Sequence, residues 1–241
     1  MNIGLTVATY LFVSRLVPSE TLAQWGPAQE GYFPFVLIGM AMNGAMLSAL
    51  TGLTHSLQLQ KAFGMLKPLL LGRSQPEAVL LFSSLYPLAR AGVDLMVYLL
   101  VGWVVGGVSL TGANVPAAVV TACLAIVAFG SLGIVTAALS LLFHCGTPLL
   151  WAIGSASWLL GGVLYPQPLL PRPLRWAAQL FPFTHAIQGV RAALLDGASL
   201  GDLIFPILVL TGFSLIMIPL GVLAFNIGLS RARVRGTLAE C

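Results

Sequence analysis

Apolar residues run through this chain in long unbroken stretches, and polar residues fall between those stretches rather than alternating with them. A helix needs roughly 20 apolar residues to cross about 30 Å of hydrocarbon. Runs of that kind occupy residues 3–17, 33–57, 79–110, 115–143, 148–165 and 203–229. The first is short and closes at Arg15 and Pro18. The third is cleanest over 91–110, with its helix beginning near Glu77. No stretch shows the period-two alternation of a membrane barrel strand. The pattern predicts an all-α transmembrane fold, a six-helix polytopic bundle forming a single domain over residues 1–241. The N-terminal run has no basic leader and no A-x-A site after it, so it reads as a retained first helix rather than a cleaved signal.

One stretch departs from this pattern. Residues 166–200 hold Pro166, Pro168, Pro171, Pro173 and Pro182, together with Arg172, Arg175 and Arg191, among Trp176, Phe181, Phe183 and many leucines. Proline breaks a helix interior, and arginine is costly at mid-bilayer. Two short helices that dip into the interface and return satisfy both constraints: a re-entrant hairpin between the fifth and sixth helices. Pro171 can start the first and Pro182 can separate it from the second. Irregular backbone at such depth has to pack against protein. Gly189, Ala193 and Gly197 recur every four residues and give a smooth face for that packing.

Composition agrees with lipid as the solvent. Of 241 residues 58% are hydrophobic and 7% charged, with mean hydropathy +0.97, whereas soluble domains carry about 25% charged residues. The formal charge of +4 acts first as a topology signal. With six spans, Lys61, Lys67, Arg73, Arg90, Arg231, Arg233 and Arg235 fall on one side, and Arg15, Arg172, Arg175 and Arg191 on the other. The positive-inside rule puts the side with seven in the cytoplasm, with both termini, and turns the hairpin outward. No basic run interleaves with aromatics, which argues against nucleic acid as a partner. Cys123, Cys145 and Cys241 lack CxxC spacing and read as free thiols. His144 and Cys145 have no neighbouring ligands, so no metal site is expected.

The hairpin and its approach are also where the sequence is most specific. Gly161 and Gly162, Tyr165-Pro166, Leu170-Pro171, Leu174-Arg175, Pro182, Thr184-His185-Ala186, Arg191 and Leu194 follow in order. This series resembles the signature region of the ABC-2 type permeases, the membrane subunits of many bacterial ABC exporters. A weaker resemblance covers about 32–238, from the stretch Tyr32 to Gly39 to the closing Arg235-Gly236-Thr237-Leu238. The resemblance implies a re-entrant hairpin at 166–200 and a coupling segment at 56–74 that docks on a separate ATPase. Gln60, Lys61, Phe63, Gly64, Leu66 and Lys67 would carry that docking. Gln60, Met65 and Arg73 depart from the family pattern, in which glutamate, threonine and proline are common. Leu59, Phe63, Leu66 and Leu70 share one helical face, while Pro68 should end or kink the helix near Lys67. The resemblance also implies an amphipathic helix before the first span. Here Met1 already adjoins the apolar run, so a shortened member, or a start further upstream, is expected.

Further implications follow for partners and cofactors. A working unit would pair two permeases, identical or paralogous, with two ABC ATPase subunits, surrounded by membrane lipid. ATP and Mg would sit on the ATPase, with none on this chain. The chain has no Walker A phosphate loop, no H-E-x-x-H and no G-x-S-x-G, which argues against an enzyme. The expected role is export of an amphipathic, lipid-linked or drug-like substrate across a bacterial inner membrane. The rivals are a secondary carrier or channel, which should show coupling-ion ligands or inverted repeats, and an intramembrane enzyme, which needs clustered catalytic groups at depth. Arg90 and Asp94, spaced i, i+4 at the expected cytoplasmic end of the third helix, read either as a gating ion pair or as an interfacial pair with a snorkelling arginine. Arg172 and Arg175 read as lipid-headgroup or substrate contacts, or as interfacial anchors. His185 reads as structural.

Overall fold

Helices form along the apolar runs, and glycine and proline set their ends. The computed structural model describes residues 3–16, 32–62, 76–106, 112–143 and 146–234. Among these residues there is no strand. The helices are α1 (Ile3–Leu16), α2 (Tyr32–Ala62), α3 (Pro76–Gly106), α4 (Val115–Phe143), α5 (Gly146–Leu160), α6 (Arg172–Leu180), α7 (Pro182–Leu195) and α8 (Ile204–Val234). Four are long and apolar enough to cross a bilayer: α2 over Tyr32–Gln60, α3 over Phe82–Val105, α4 over Val115–Ser140 and α8 over Ile204–Gly228. The first and fifth expected spans are shorter, with 14 residues in α1 and 15 in α5. At 1.5 Å per residue they extend about 21–23 Å. Helix α5 stops at Leu160 rather than near 165 because Gly162 has φ +62, a left-handed turn that glycine adopts without strain.

Helices α2 and α4 form the centre. Within its apolar window α2 is 72% buried in protein, against 17% for α8, which lies at the periphery. Lipid offers apolar groups as good a surround as a neighbouring helix does, so helix contacts in a bilayer depend on close fit. Small side chains provide that fit: Ala41, Ala45, Ala49, Ala125, Ala128 and Ala138 are fully or almost fully buried. At Gly133 an added Cβ would lie 2.9 Å from the Leu50 carbonyl oxygen, so α4 and α2 touch backbone to side-chain-free backbone. Gly52 likewise admits Pro87 of α3, whose ring carbon would stand 2.5 Å from a Cβ there.

The hairpin packs on this centre at the end where α2 begins. Pro171 caps α6 and Pro182 is the first residue of α7, positions where the missing N–H has no helical partner to lose. Helix α7 is buried along most of its length, and Phe183 meets Phe129 of α4 edge to face at 5.6 Å. Its C-terminus closes with Gly197 at φ +64, while the N–H groups of Asp196 and Ala198 both donate to the Ala192 carbonyl. The next carbonyl, of Ala193, accepts from Asn114 N–H at 2.9 Å, and Asn114 Oδ1 caps α4 by accepting from Ala117 N–H. Helix α6 is the exposed member, with Trp176 and Leu180 turned outward.

Candidate functional site

Two arrangements of side chains stand out, one at each end of α2. The first is a joint centred on Arg191 of α7. Its Nε and Nη2 donate to the Phe35 carbonyl at 3.1 and 2.9 Å, Nη1 to that of Gly162 at 2.8 Å, and Nη2 also to that of Val163 at 2.7 Å. The guanidinium also lies 3.5 Å from the centre of the Phe35 ring. The last carbonyls of a helix have no intrahelical donor, and a cation near a helix C-terminus is favoured by the helix dipole. Arg191 places its charge just beyond the end of α5 and supplies donors to the turn carbonyls of Gly162 and Val163. Gly39 makes room for it: a Cβ there would sit 2.4 Å from Nη2 and 2.5 Å from the Val163 oxygen. Tyr32 strengthens the same corner, its hydroxyl donating to the Leu164 carbonyl at 3.1 Å. Among the described residues no carboxylate pairs with Arg191; the ion pair found among them is Arg90–Asp94.

The other hairpin residues singled out in the sequence gather around this joint. Gly161 lets Phe183 approach, and Gly162 makes the turn. The Tyr165 hydroxyl donates to the Leu159 carbonyl. Pro166 precedes a 3₁₀ turn at Gln167–Leu169. Arg175 Nη2 donates to the Leu170 carbonyl at 3.4 Å. His185 Nε2 is 2.8 Å from the Gln179 carbonyl, and its ring meets Phe205 of α8 edge-on at 5.4 Å, which ties α6, α7 and α8 together.

The second arrangement is a groove of about 900 Å³ between α2, α3 and α5, towards the opposite end of α2. Its α2 wall is polar: Asn43, Ser48, Thr51, His55 and Gln58 line it. Its α3 and α5 walls bring Tyr86, Trp151 and Trp158, all exposed. The Thr51 and Ser155 hydroxyls donate to carbonyls of their own helices, Leu47 at 2.8 Å and Trp151 at 2.6 Å, so neither is left unpaired in an apolar setting. Arg90 also lines the groove, and its Nε stands 3.7 Å from Asp94 Oδ2. The Ser48 hydroxyl donates to that same oxygen at 3.0 Å.

Depth changes the meaning of this pair. Because α3 enters its apolar stretch at Phe82, Arg90 and Asp94 lie within that stretch rather than at its edge. Arg90 is about 12 Å along the helix axis from that start and Asp94 about 18 Å. On the expected orientation Arg90 would then drop out of the cytoplasmic set, leaving six basic residues against four.

The coupling segment is described only at its start. Gln60 and Lys61 belong to the last turn of α2, which runs on to Ala62. Phe63, Gly64, Leu66 and Lys67 lie outside the described residues. Among the described residues no cluster of three or more His, Cys, Asp or Glu gathers.

The profile of the ABC-2 type transporter family matches residues 3–195, which takes in both arrangements. The chain belongs to this family. It is thus a membrane subunit of an ABC-type transporter and a multi-pass membrane protein, and membership implies an ABC ATPase subunit as partner. No curated relative matches the sequence. For an ABC-2 permease the two arrangements divide naturally: the joint at Arg191 positions the hairpin, and the groove offers space at membrane depth. The groove was missed in the sequence. Its signal was present, since Ser48, Thr51, His55 and Gln58 follow at helical spacing along an otherwise apolar helix.

Proposed function

We propose that this permease is the membrane half of an ATP-driven exporter. It would carry an amphipathic, lipid-linked or drug-like substrate out of the cytoplasm of a bacterium across the inner membrane. Two permeases, identical or paralogous, would work with two ATPase subunits that hold ATP and Mg. ATPase closure would push on residues 56–74, and the permeases would rock and open a path between them. The chain would cross the membrane six times, with both termini in the cytoplasm and residues 166–200 on the outside. The six-to-four distribution of basic residues supports that orientation.

The observation that carries the reading is the groove, largely apolar with a few polar groups along α2, on a chain of this family. Ligand sites have volumes of roughly 300–1,000 Å³ with a few polar groups set in apolar walls, and this groove fits that description.

The test is isolation of a tagged permease from its own membranes in mild detergent. An ATPase with a Walker A loop should co-purify, and hydrolysis should belong to the complex and not to the permease alone. A permease that transports with no ATPase bound, or that hydrolyses ATP by itself, would overturn the proposal.

A further inference from the structure

The geometry points to an anionic amphiphile as the occupant of the groove, with Arg90 as the residue that selects its charge. This inference rests on the transport reading above and names the cargo class for it.

Arg90 and Arg191 differ in how far their donors are used. Arg191 makes four hydrogen bonds to three backbone carbonyls. A guanidinium has five N–H donors, and the contact Arg90 makes with Asp94 is a single one, through Nε at 3.7 Å, beyond hydrogen-bond range. That Asp94 oxygen already accepts from Ser48. The side chain of Arg90 is 61% exposed, on the wall of the groove. Among the described residues nothing else takes its remaining donors. An ionisable side chain within a membrane span is expensive, and it commonly marks a path or binding site for a charged species.

The walls define the rest of the occupant. Across the groove, Trp151 and Trp158 present broad apolar faces, 76% and 43% exposed. A molecule that meets both walls has one anionic end for Arg90, with His55 and Thr51 nearby, and an apolar body against the tryptophans. A cationic head would face Arg90 with no acid on the groove wall to meet it, because Asp94 is not among the residues that line the groove. A neutral head would leave the guanidinium donors unpaired. A carboxylate or phosphate pairs with them through charge-assisted bonds.

The experiment uses the purified full-length permease in phosphatidylcholine nanodiscs, with no ATPase and no nucleotide. The probe is dansyl-labelled undecanoic acid, read by energy transfer from tryptophan to dansyl. The acid should bind saturably and about tenfold more tightly than its methyl ester, the scale of one charge-assisted hydrogen bond. Arg90→Gln should bring the acid down to the level of the ester and leave the ester unchanged, which shows the groove intact. Arg90→Lys should keep most of the preference. Decyl phosphate should displace the probe, and inorganic phosphate at the same concentration should not.

Equal binding of acid and ester, or parent-like binding of the acid by Arg90→Gln, would overturn the inference. Displacement by inorganic phosphate would make the groove a small-anion site and overturn it too. Loss of binding when phosphatidylglycerol is added to the nanodiscs would make the occupant a bilayer lipid rather than cargo. If Arg90→Gln loses the ester as well, the preference retained or lost by Arg90→Lys decides. Binding needs neither ATP nor a partner, so its failure leaves the exporter reading standing. Failure to capture an ATPase leaves the binding result standing in turn.

Discussion

The Phe35 carbonyl oxygen and the Arg191 guanidinium meet at 2.9 Å, while the ring of the same phenylalanine lies under the guanidinium at 3.5 Å. One residue at the start of α2 thus holds the hairpin arginine by both its backbone and its side chain. Residues 156 positions apart in sequence become a single joint.

The first prediction tests that joint. Arg191→Gln leaves the carbonyls of Gly162 and Val163 short of donors and removes the cation from the end of α5. The expected cost is about 2–4 kcal/mol, which lowers Tm by roughly 5–10 °C for a chain of this size. Arg191→Lys should also destabilise, since a point charge cannot span three carbonyls as the planar fork does. Thermal unfolding in detergent checks this. A parent-like Tm for Arg191→Gln would mean the joint contributes nothing.

The second prediction concerns the space the arginine occupies. Gly39→Ala places a methyl group 2.4 Å from Nη2 and 2.5 Å from the Val163 oxygen, and one of the two is backbone. Overpacking of this kind costs about 1–3 kcal/mol. Gly92→Ala is the control, because nothing lies within 4 Å of a Cβ there. The two variants should separate in the same melting experiment: Gly39→Ala lower, Gly92→Ala unchanged or slightly raised.

The third prediction is topological. Asp196 is exposed just past the end of α7. With Cys123, Cys145 and Cys241 replaced, Asp196→Cys should react with an impermeant thiol reagent added to intact cells. Labelling that appears only after lysis would reverse the orientation.

The fourth prediction concerns force transfer from the ATPase. Phe63→Asp puts a charge on the apolar face that helical spacing would give Leu59, Phe63, Leu66 and Leu70. If that face docks into a groove on the partner, the cost is several kcal/mol (~2–5). ATPase co-purification and export should both fall, while membrane insertion stays normal. Parent-like behaviour in both would place the coupling contact elsewhere.

Much of the fold was legible because uninterrupted apolar length is a strong signal. It is enough to locate α2, α4 and α8, and prolines at 171 and 182 mark where α6 and α7 begin. The start of α3 was harder to read. Ser83, Ser84 and Pro87 dilute its hydropathy, so the cleanest apolar stretch begins well inside the helix, and Arg90 and Asp94 looked peripheral. The partners of Arg191 were illegible for a different reason. They are carbonyls of Phe35, Gly162 and Val163, and a backbone oxygen leaves no trace in side-chain pattern. The order of motif residues showed that Arg191 belonged with Gly162, but not what joined them.

The choice of carbonyls over carboxylates as partners for Arg191 has a mechanical consequence. A carbonyl oxygen gains no proton in mild acid and exchanges no counter-ion with salt, so this fastening holds over conditions that loosen ion pairs. It stiffens the end of the bundle where α2 begins and α5 ends. Towards their other ends these two helices border a hollow, together with α3. Between α2 and α5 the frame is fastened at one end and open at the other, while α2 itself stays packed on α4 and α8 there through Leu53 and Leu57. A small push on the start of α5 would therefore turn that helix about the fixed end, and the gap between the two would be the part that changes width.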